Sequence, residues 1–101
     1  MAKTSSIQRN LKRIRLSKRF LKKREMLKKI IKNKKLPLTE RVDAQLKLAK
    51  IPRNSARTRI RNRCEITGRP RGVYRKLRIS RIALRELASS GKIPGMTKSS
   101  W

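Results

Sequence analysis

The 101-residue chain has no histidine, and its five acidic residues, Glu25, Glu40, Asp43, Glu65 and Glu86, stand singly along it. General acid–base chemistry needs a proton donor and an acceptor within reach of one substrate, and no neighbouring residues here supply such a pair. A catalytic site is not expected. Cys64 is the sole cysteine, which excludes an intramolecular disulfide and points to a reducing compartment. No apolar run approaches the roughly 20 residues a spanning helix needs, and no signal-peptide core follows Met1-Ala2-Lys3. An integral membrane protein is not expected either. Aromatic residues are limited to Phe20, Tyr74 and Trp101, thin material for a core once the entropy of ordering the chain is counted.

What the chain has is positive charge. Thirty-two Lys and Arg against five acids give a formal net charge of +27, and at that density like charges repel in any compact monomer. An anionic partner is required, and partial disorder is expected without one. From Ser5 to Lys35 the sequence is Lys-rich with Glu25 as its single acid, and Ile7, Leu11, Ile14, Leu21, Leu27, Ile30 and Ile31 recur mostly at threes and fours. The spacing predicts a basic amphipathic helix with Ser5 or Ser6 as N-cap. Like charges at i, i+4 oppose it by about 0.2–0.5 kcal/mol per pair, so it should form well only where phosphates neutralise it. Leu36-Pro37-Leu38 interrupts the pattern. A short helix from about Glu40 to Lys50 is then predicted, capped by Thr39, with Glu40 and Asp43 favouring its dipole and Val42, Leu46 and Ala49 on one face. The two apolar faces are expected to pack together as a helical hairpin.

Beyond Pro52 the basic chemistry changes from Lys to Arg: Arg53 to Arg85 holds eleven arginines and only Lys76. A guanidinium is a planar fork that can hold two phosphate acceptors, whereas an ammonium is a mobile point charge. Defined contacts should therefore concentrate here. Arg57, Arg59, Arg61 and Arg63 alternate with Thr58, Ile60 and Asn62; in an extended chain all four would project from one face about 6.6 Å apart, and in a helix they would divide between two faces. Thr67-Gly68-Arg69-Pro70-Arg71-Gly72 is turn chemistry. A short irregular or β-like stretch, Val73 to Ile79, should follow, with Tyr74 open to base stacking or core packing alike. Ser80 should cap a helix from Arg81 to about Ser89 that ends at Gly91, and the tail to Trp101 is too punctuated for regular structure. Charge alone leaves three partners open: structured RNA, duplex DNA in a packaging role, and an anionic membrane surface.

Several separated motifs narrow this. Pro52-Arg53-Asn54-Ser55, Arg61-Asn62-Arg63-Cys64, Thr67-Gly68-Arg69-Pro70-Arg71, Ser80-Arg81-Ile82, Leu84-Arg85-Glu86-Leu87, Ile93-Pro94-Gly95 and Lys98-Ser99-Ser100-Trp101 together resemble the bacterial family of small-subunit ribosomal protein fourteen. The resemblance spans the whole chain. That family has a short form with two Cys-x-x-Cys pairs for zinc and a longer form that has lost most of them; the corresponding positions here are Cys64, Thr67, Ser80 and Ala83, and one thiolate cannot close a tetrahedral zinc shell.

The resemblance implies a mostly α fold with irregular segments: extended basic N-terminal helices (1–52), then a compact Arg-rich module (53–101), zinc-ribbon-like but lacking metal. It implies a structural constituent of the small ribosomal subunit, not an enzyme, with no cofactor and no small-molecule substrate. Its partners would be small-subunit rRNA, in the 3′ major domain, and the head proteins three, ten and nineteen, in the cytoplasm of a bacterium or the matrix of an organelle. Arg53, Asn54, Arg57, Arg59, Arg61, Arg63, Arg69, Arg71, Arg75, Lys76, Arg81, Lys98 and Trp101 would contact rRNA.

Overall fold

The computed structural model describes residues 2–99, which form three α-helices, two short 3-10 turns and a two-stranded sheet. Helix α1 runs Thr4–Lys32, α2 runs Leu38–Lys50 and α3 runs Arg81–Ser89; strands β1 (Val73–Tyr74) and β2 (Ile79–Ser80) precede α3. This is the mostly α architecture with irregular segments that the sequence predicts. The chain divides into two compact units, one of residues Gln8–Ile60 and one joining the residues up to Ile7 with those from Arg61 onward.

In the Gln8–Ile60 unit, α1 and α2 form the expected hairpin around Leu27, Ala44 and Ile51, with Phe20, Ile30, Ile31 and Leu48 against them. The face of α2 that packs is not the expected one. Ala44, Leu48 and Ile51, at spacings of four and three, point into the core, while Val42 and Leu46 stay exposed. Both rows of this helix carry apolar side chains, and the one that meets Leu27 of α1 is the row that is buried. Buried Asn10 and Ser17 occupy the N-terminal half of α1 where apolar side chains would be expected, and Leu11 and Leu21 face outward.

Helix ends also differ from expectation. Ser6 and Ile7 already donate to the Lys3 carbonyl at 3.0 and 3.3 Å, so Ser5 and Ser6 lie inside the first turn rather than capping it. Asn33 stops α1: its amide donates to Lys29 O at 3.1 Å while its own Oδ1 accepts from the Lys35 amide. Pro37, not Thr39, is the N-cap of α2 and supplies no side-chain bond; its fixed φ is already suited to a helix entry.

After Pro52 the chain makes turns η1 (Arg53–Ser55) and η2 (Arg57–Arg59). Ser55 is fully buried; its hydroxyl donates to Pro52 O and accepts from Arg24 Nη1 at 3.2 Å. Arg13 Nη1 reaches Arg59 O at 3.5 Å. Thus the 53–60 segment runs antiparallel along α1.

The other unit is built on β1 and β2, paired antiparallel with Val73 opposite Ser80 and Tyr74 opposite Ile79, followed directly by α3. Its core is Cys64, Ile79 and Ala83, with Val73, Leu84, Leu87 and Ile93 packed on it. This hairpin-then-helix module has the ribbon-like form that the resemblance implies. Ser80 caps α3 as expected, its Oγ accepting from the Ala83 amide at 3.2 Å, and Gly91 at φ +73° ends it. Arg78 takes φ +59° in the turn between the strands, its amide bonded to Tyr74 O at 2.7 Å.

Two substitutions probe this unit. Ser80→Ala removes a cap worth about 1 kcal/mol. Gly68→Ala should cost more, about 2 kcal/mol, because Gly68 sits at φ +76° and an added Cβ would stand 2.7 Å from Ile7 Cδ1. Urea unfolding in sulfate buffer, which screens the surplus charge, should rank them in that order.

Candidate nucleic-acid interface

The cationic residues singled out above fall into both units, and their surroundings differ. In Gln8–Ile60, Arg53, Arg57 and Arg59 are exposed and Asn54 is half-buried. The four-arginine ladder is not extended: the Ile60 amide bonds to Arg57 O at 3.2 Å and closes a 3-10 turn, so Arg57 and Arg59 diverge. They sit on a pinned turn. Arg13 reaches its backbone at Arg59 O, and Arg24 holds the buried Ser55 hydroxyl in the turn before it.

In the other unit, arginines organise the turn that carries them. Arg61 Nε donates to Pro70 O at 3.0 Å, Arg63 Nη1 to Gly68 O at 2.9 Å and Arg69 Nε to Arg71 O at 3.0 Å. A guanidinium has five N–H donors in a fixed fork, so one carbonyl bond orients the whole group without discharging it. Arg61 and Arg71 are exposed, whereas Arg63 and Arg69 are half-buried and Arg63 Nε is enclosed without a partner. Sequence reasoning treated these four alike; Arg63 and Arg69 are as much struts of the turn as contact groups.

Arg75, Lys76 and Arg81 are exposed on and beside the strand pair. Arg81 and Lys98 line a cleft of about 270 Å³ with half-exposed Tyr74, Arg85, Leu84 and Met96. Arg85 is a functional candidate that the sequence reading passed over; its place one helical turn after Arg81 was the available signal. Trp101 lies outside the described residues.

Cys64, Ser80 and Ala83, three of the positions at which the resemblance implied zinc ligands in the family's short form, lie at the centre of this unit. Cys64 and Ala83 are buried at 3% and 4% exposure and Ser80 at 1%. One sulfur, two hydroxyls and a methyl do not fit a tetrahedral zinc shell, and among the described residues no group of three or more His, Cys, Asp or Glu converges. Ser80 and Ala83 instead form a helix cap, the Ala83 amide donating to Ser80 Oγ. Burial pushes the Cys64 thiol up, but hydrogen bonds from the Thr67 side chain and from the backbone N–H groups of Thr67, Ser80 and Ile66 outweigh it and lower the pKa to about 6. The Thr67 amide stands 3.5 Å from Sγ, and the enclosed Thr67 Oγ1 has no partner other than that sulfur. A thiolate gives that hydroxyl an acceptor.

Charge is left almost uncompensated: the one ion pair among the described residues, Arg78–Glu65 at 3.7 Å, is exposed on both sides. No helix among the described residues is long and apolar enough to cross a membrane. Pinned, exposed guanidiniums on short turns in one unit, and a Lys-rich helix in the other, define a polyanion-binding protein of the ribonucleoprotein type.

The comparisons with known proteins make this specific. The sequence profile of "Ribosomal protein S14p/S29e" matches residues 47–100. Over the full length of both chains, the protein is 70% identical to small ribosomal subunit protein uS14 of Maricaulis maris, 64% to that of Pelagibacter ubique and 59% to that of Rhizobium meliloti. The chain belongs to the S14 family of small-subunit ribosomal proteins.

The thiol yields a prediction with a definite sign. The Cys64 pKa is lowered on folding from the ordinary 9.0 to about 6, so its contribution to stability is fully present above pH 9 and is lost as pH falls through 6. The difference in thermal midpoint between the natural chain and Cys64→Ala should therefore grow from pH 6 to pH 9. Thiolate absorbance at 240 nm should rise with a midpoint near the same folded-state value.

Proposed function

We propose that the chain braces the head of the small ribosomal subunit by binding rRNA of its 3′ major domain, beside the head proteins three, ten and nineteen, in the bacterial cytoplasm. It is a structural constituent of the small subunit and not an enzyme. The observation that carries the RNA-binding reading is the set of guanidiniums held by backbone carbonyls at Gly68, Pro70 and Arg71, with Arg57 and Arg59 on the pinned turn η2. Such groups meet phosphates with little further ordering cost.

The division of labour follows from residue type. Residues 1–52 act as a Lys-rich extension that lowers repulsion between converging RNA strands. Residues 53–101 act as the Arg-rich module that fixes their orientation, through Arg53, Asn54, Arg57, Arg59, Arg61, Arg63, Arg69, Arg71, Arg75, Lys76, Arg81, Lys98 and Trp101. Folded RNA presents shape, 2′-hydroxyls and non-helical phosphates rather than a readable major groove, so selectivity comes from matching that shape.

Competition at near-physiological salt tests this reading, with the 3′ major domain set against unrelated structured RNA and duplex DNA and the head proteins present. Preference for the rRNA domain is expected; equal binding to all three contradicts it. In the same assay Arg57→Ala and Arg59→Ala should each weaken binding to the rRNA domain and lower the slope of log K against log salt by about 1. An unchanged slope would remove that arginine from the interface.

A further inference from the structure

The cleft shared by Tyr74, α3 and the tail is more than a patch of charge. Its α3 side is the stripe Arg81, Leu84, Arg85 and Ala88, which at i, i+3, i+4 and i+7 share one helical face. Leu84 also packs on the Cys64, Ile79 and Ala83 core, which fixes that side. Arg81 is placed as firmly. Its amide donates to Gly72 O at 2.8 Å, and its aliphatic stem lies over Gly72, where an added Cβ would stand 3.5 Å from both Cγ and Cδ. Tyr74 stands on β1, its carbonyl accepting from the Arg78 amide at 2.7 Å, and is half exposed. The tail adds exposed Met96 and Lys98. Among the described residues that line the cleft there is no acid.

Two chemistries therefore meet in about 270 Å³: the cations Arg81, Arg85 and Lys98, and an aromatic and aliphatic surface made by Tyr74, Leu84 and Met96. A bare phosphate would use the first and leave the second in water. An apolar side chain of another protein would do the reverse. A nucleotide whose base has left its stack offers a flat π-face and a phosphate a few bonds apart, and so satisfies both. We propose that this cleft receives one unstacked nucleotide of rRNA, its base against Tyr74 and Met96 and its phosphate on Arg81 and Arg85. A paired base is already held between its neighbours, so the cleft selects a bulge, a loop or a strand end. Every base has a π-face, so the selection is for a conformation more than for a letter of sequence. The inference rests on the rRNA reading and deepens it, adding Tyr74 and Arg85 to the interface and giving Arg81 a nucleotide to hold rather than a general phosphate contact.

The test measures affinity of the full chain for the 3′ major domain against salt concentration, with the head proteins present, for Tyr74→Ala, Tyr74→Phe and Arg85→Ala. Tyr74→Ala should weaken binding about tenfold with the slope of log K against log salt unchanged, and Tyr74→Phe should bind as the natural chain does. Arg85→Ala should lower that slope by about 1. Ultraviolet irradiation of the natural complex should join the Tyr74 peptide to a single nucleotide, and chemical probing should find its base unpaired and more reactive in the Tyr74→Ala complex. A cross-link to protein or to a paired nucleotide overturns the proposal, as does no cross-link or an affinity insensitive to loss of the ring. Should Tyr74→Ala lose the hydrogen-exchange protection of β2 and α3, the cross-link in the natural complex decides alone. Equal binding of the natural chain to the rRNA domain and to unrelated RNA would sink the rRNA reading and the cleft with it; a preference for the rRNA domain that Tyr74→Ala leaves untouched would sink the cleft alone.

Discussion

Uncompensated positive charge is the constraint on which the rest of this structure depends. With 32 cations and five acids, the chain cannot be held by ion pairs, and the single exposed Arg78–Glu65 pair among the described residues contributes little. Neutral acceptors take that role. Arg13, Arg41, Arg61, Arg63 and Arg69 each donate to a backbone carbonyl and Arg24 to the Ser55 hydroxyl. A carbonyl satisfies a guanidinium N–H without cancelling its charge, so the bonds that build the turns leave their potential available to an anion.

This economy of acceptors explains the layout of both units. Where apolar side chains suffice, as at Leu27, Ala44 and Ile51 or at Cys64, Ile79 and Ala83, small cores form. Where they do not, polar side chains occupy buried positions: Asn10 and Ser17 on α1, and Ser55 against Arg24. Cys64, Ser80 and Ala83 follow the same logic. Ser80 and Ala83 form a helix cap, and Cys64 holds a thiol whose surrounding N–H groups favour its charged form.

Much of this was legible in the sequence, for reasons specific to each element. Threes and fours in the apolar spacing marked α1 and α2, Ser80 marked the start of α3, and Gly91 marked its end. The packed face of α2 was not legible, because Leu38, Val42 and Leu46 make a row as apolar as Ala44, Leu48 and Ile51 and only the neighbouring helix decides between them. The Arg57–Arg63 alternation left extended and helical backbones open; the Arg59 and Ile60 amides donate to Ala56 O and Arg57 O, so Arg57–Arg59 takes 3-10 geometry while Arg61 and Arg63 lie beyond that turn. Nor could sequence distinguish arginines that stitch a turn from those that only display charge, since that depends on which carbonyl lies within reach. At Arg63 and Arg69 it is Gly68 and Arg71.

The central claim is that RNA phosphates complete the fold that the chain's own acids cannot. Hydrogen exchange, followed by mass spectrometry on the chain alone and bound to the 3′ major domain of small-subunit rRNA, tests it most directly. The account predicts that α1 amides exchange readily in the unbound chain and slow by at least about tenfold on binding, while amides of β2 and α3 are protected in both states. Equal protection of α1 with and without RNA would contradict it, since the helix would then stand on its own despite its charge.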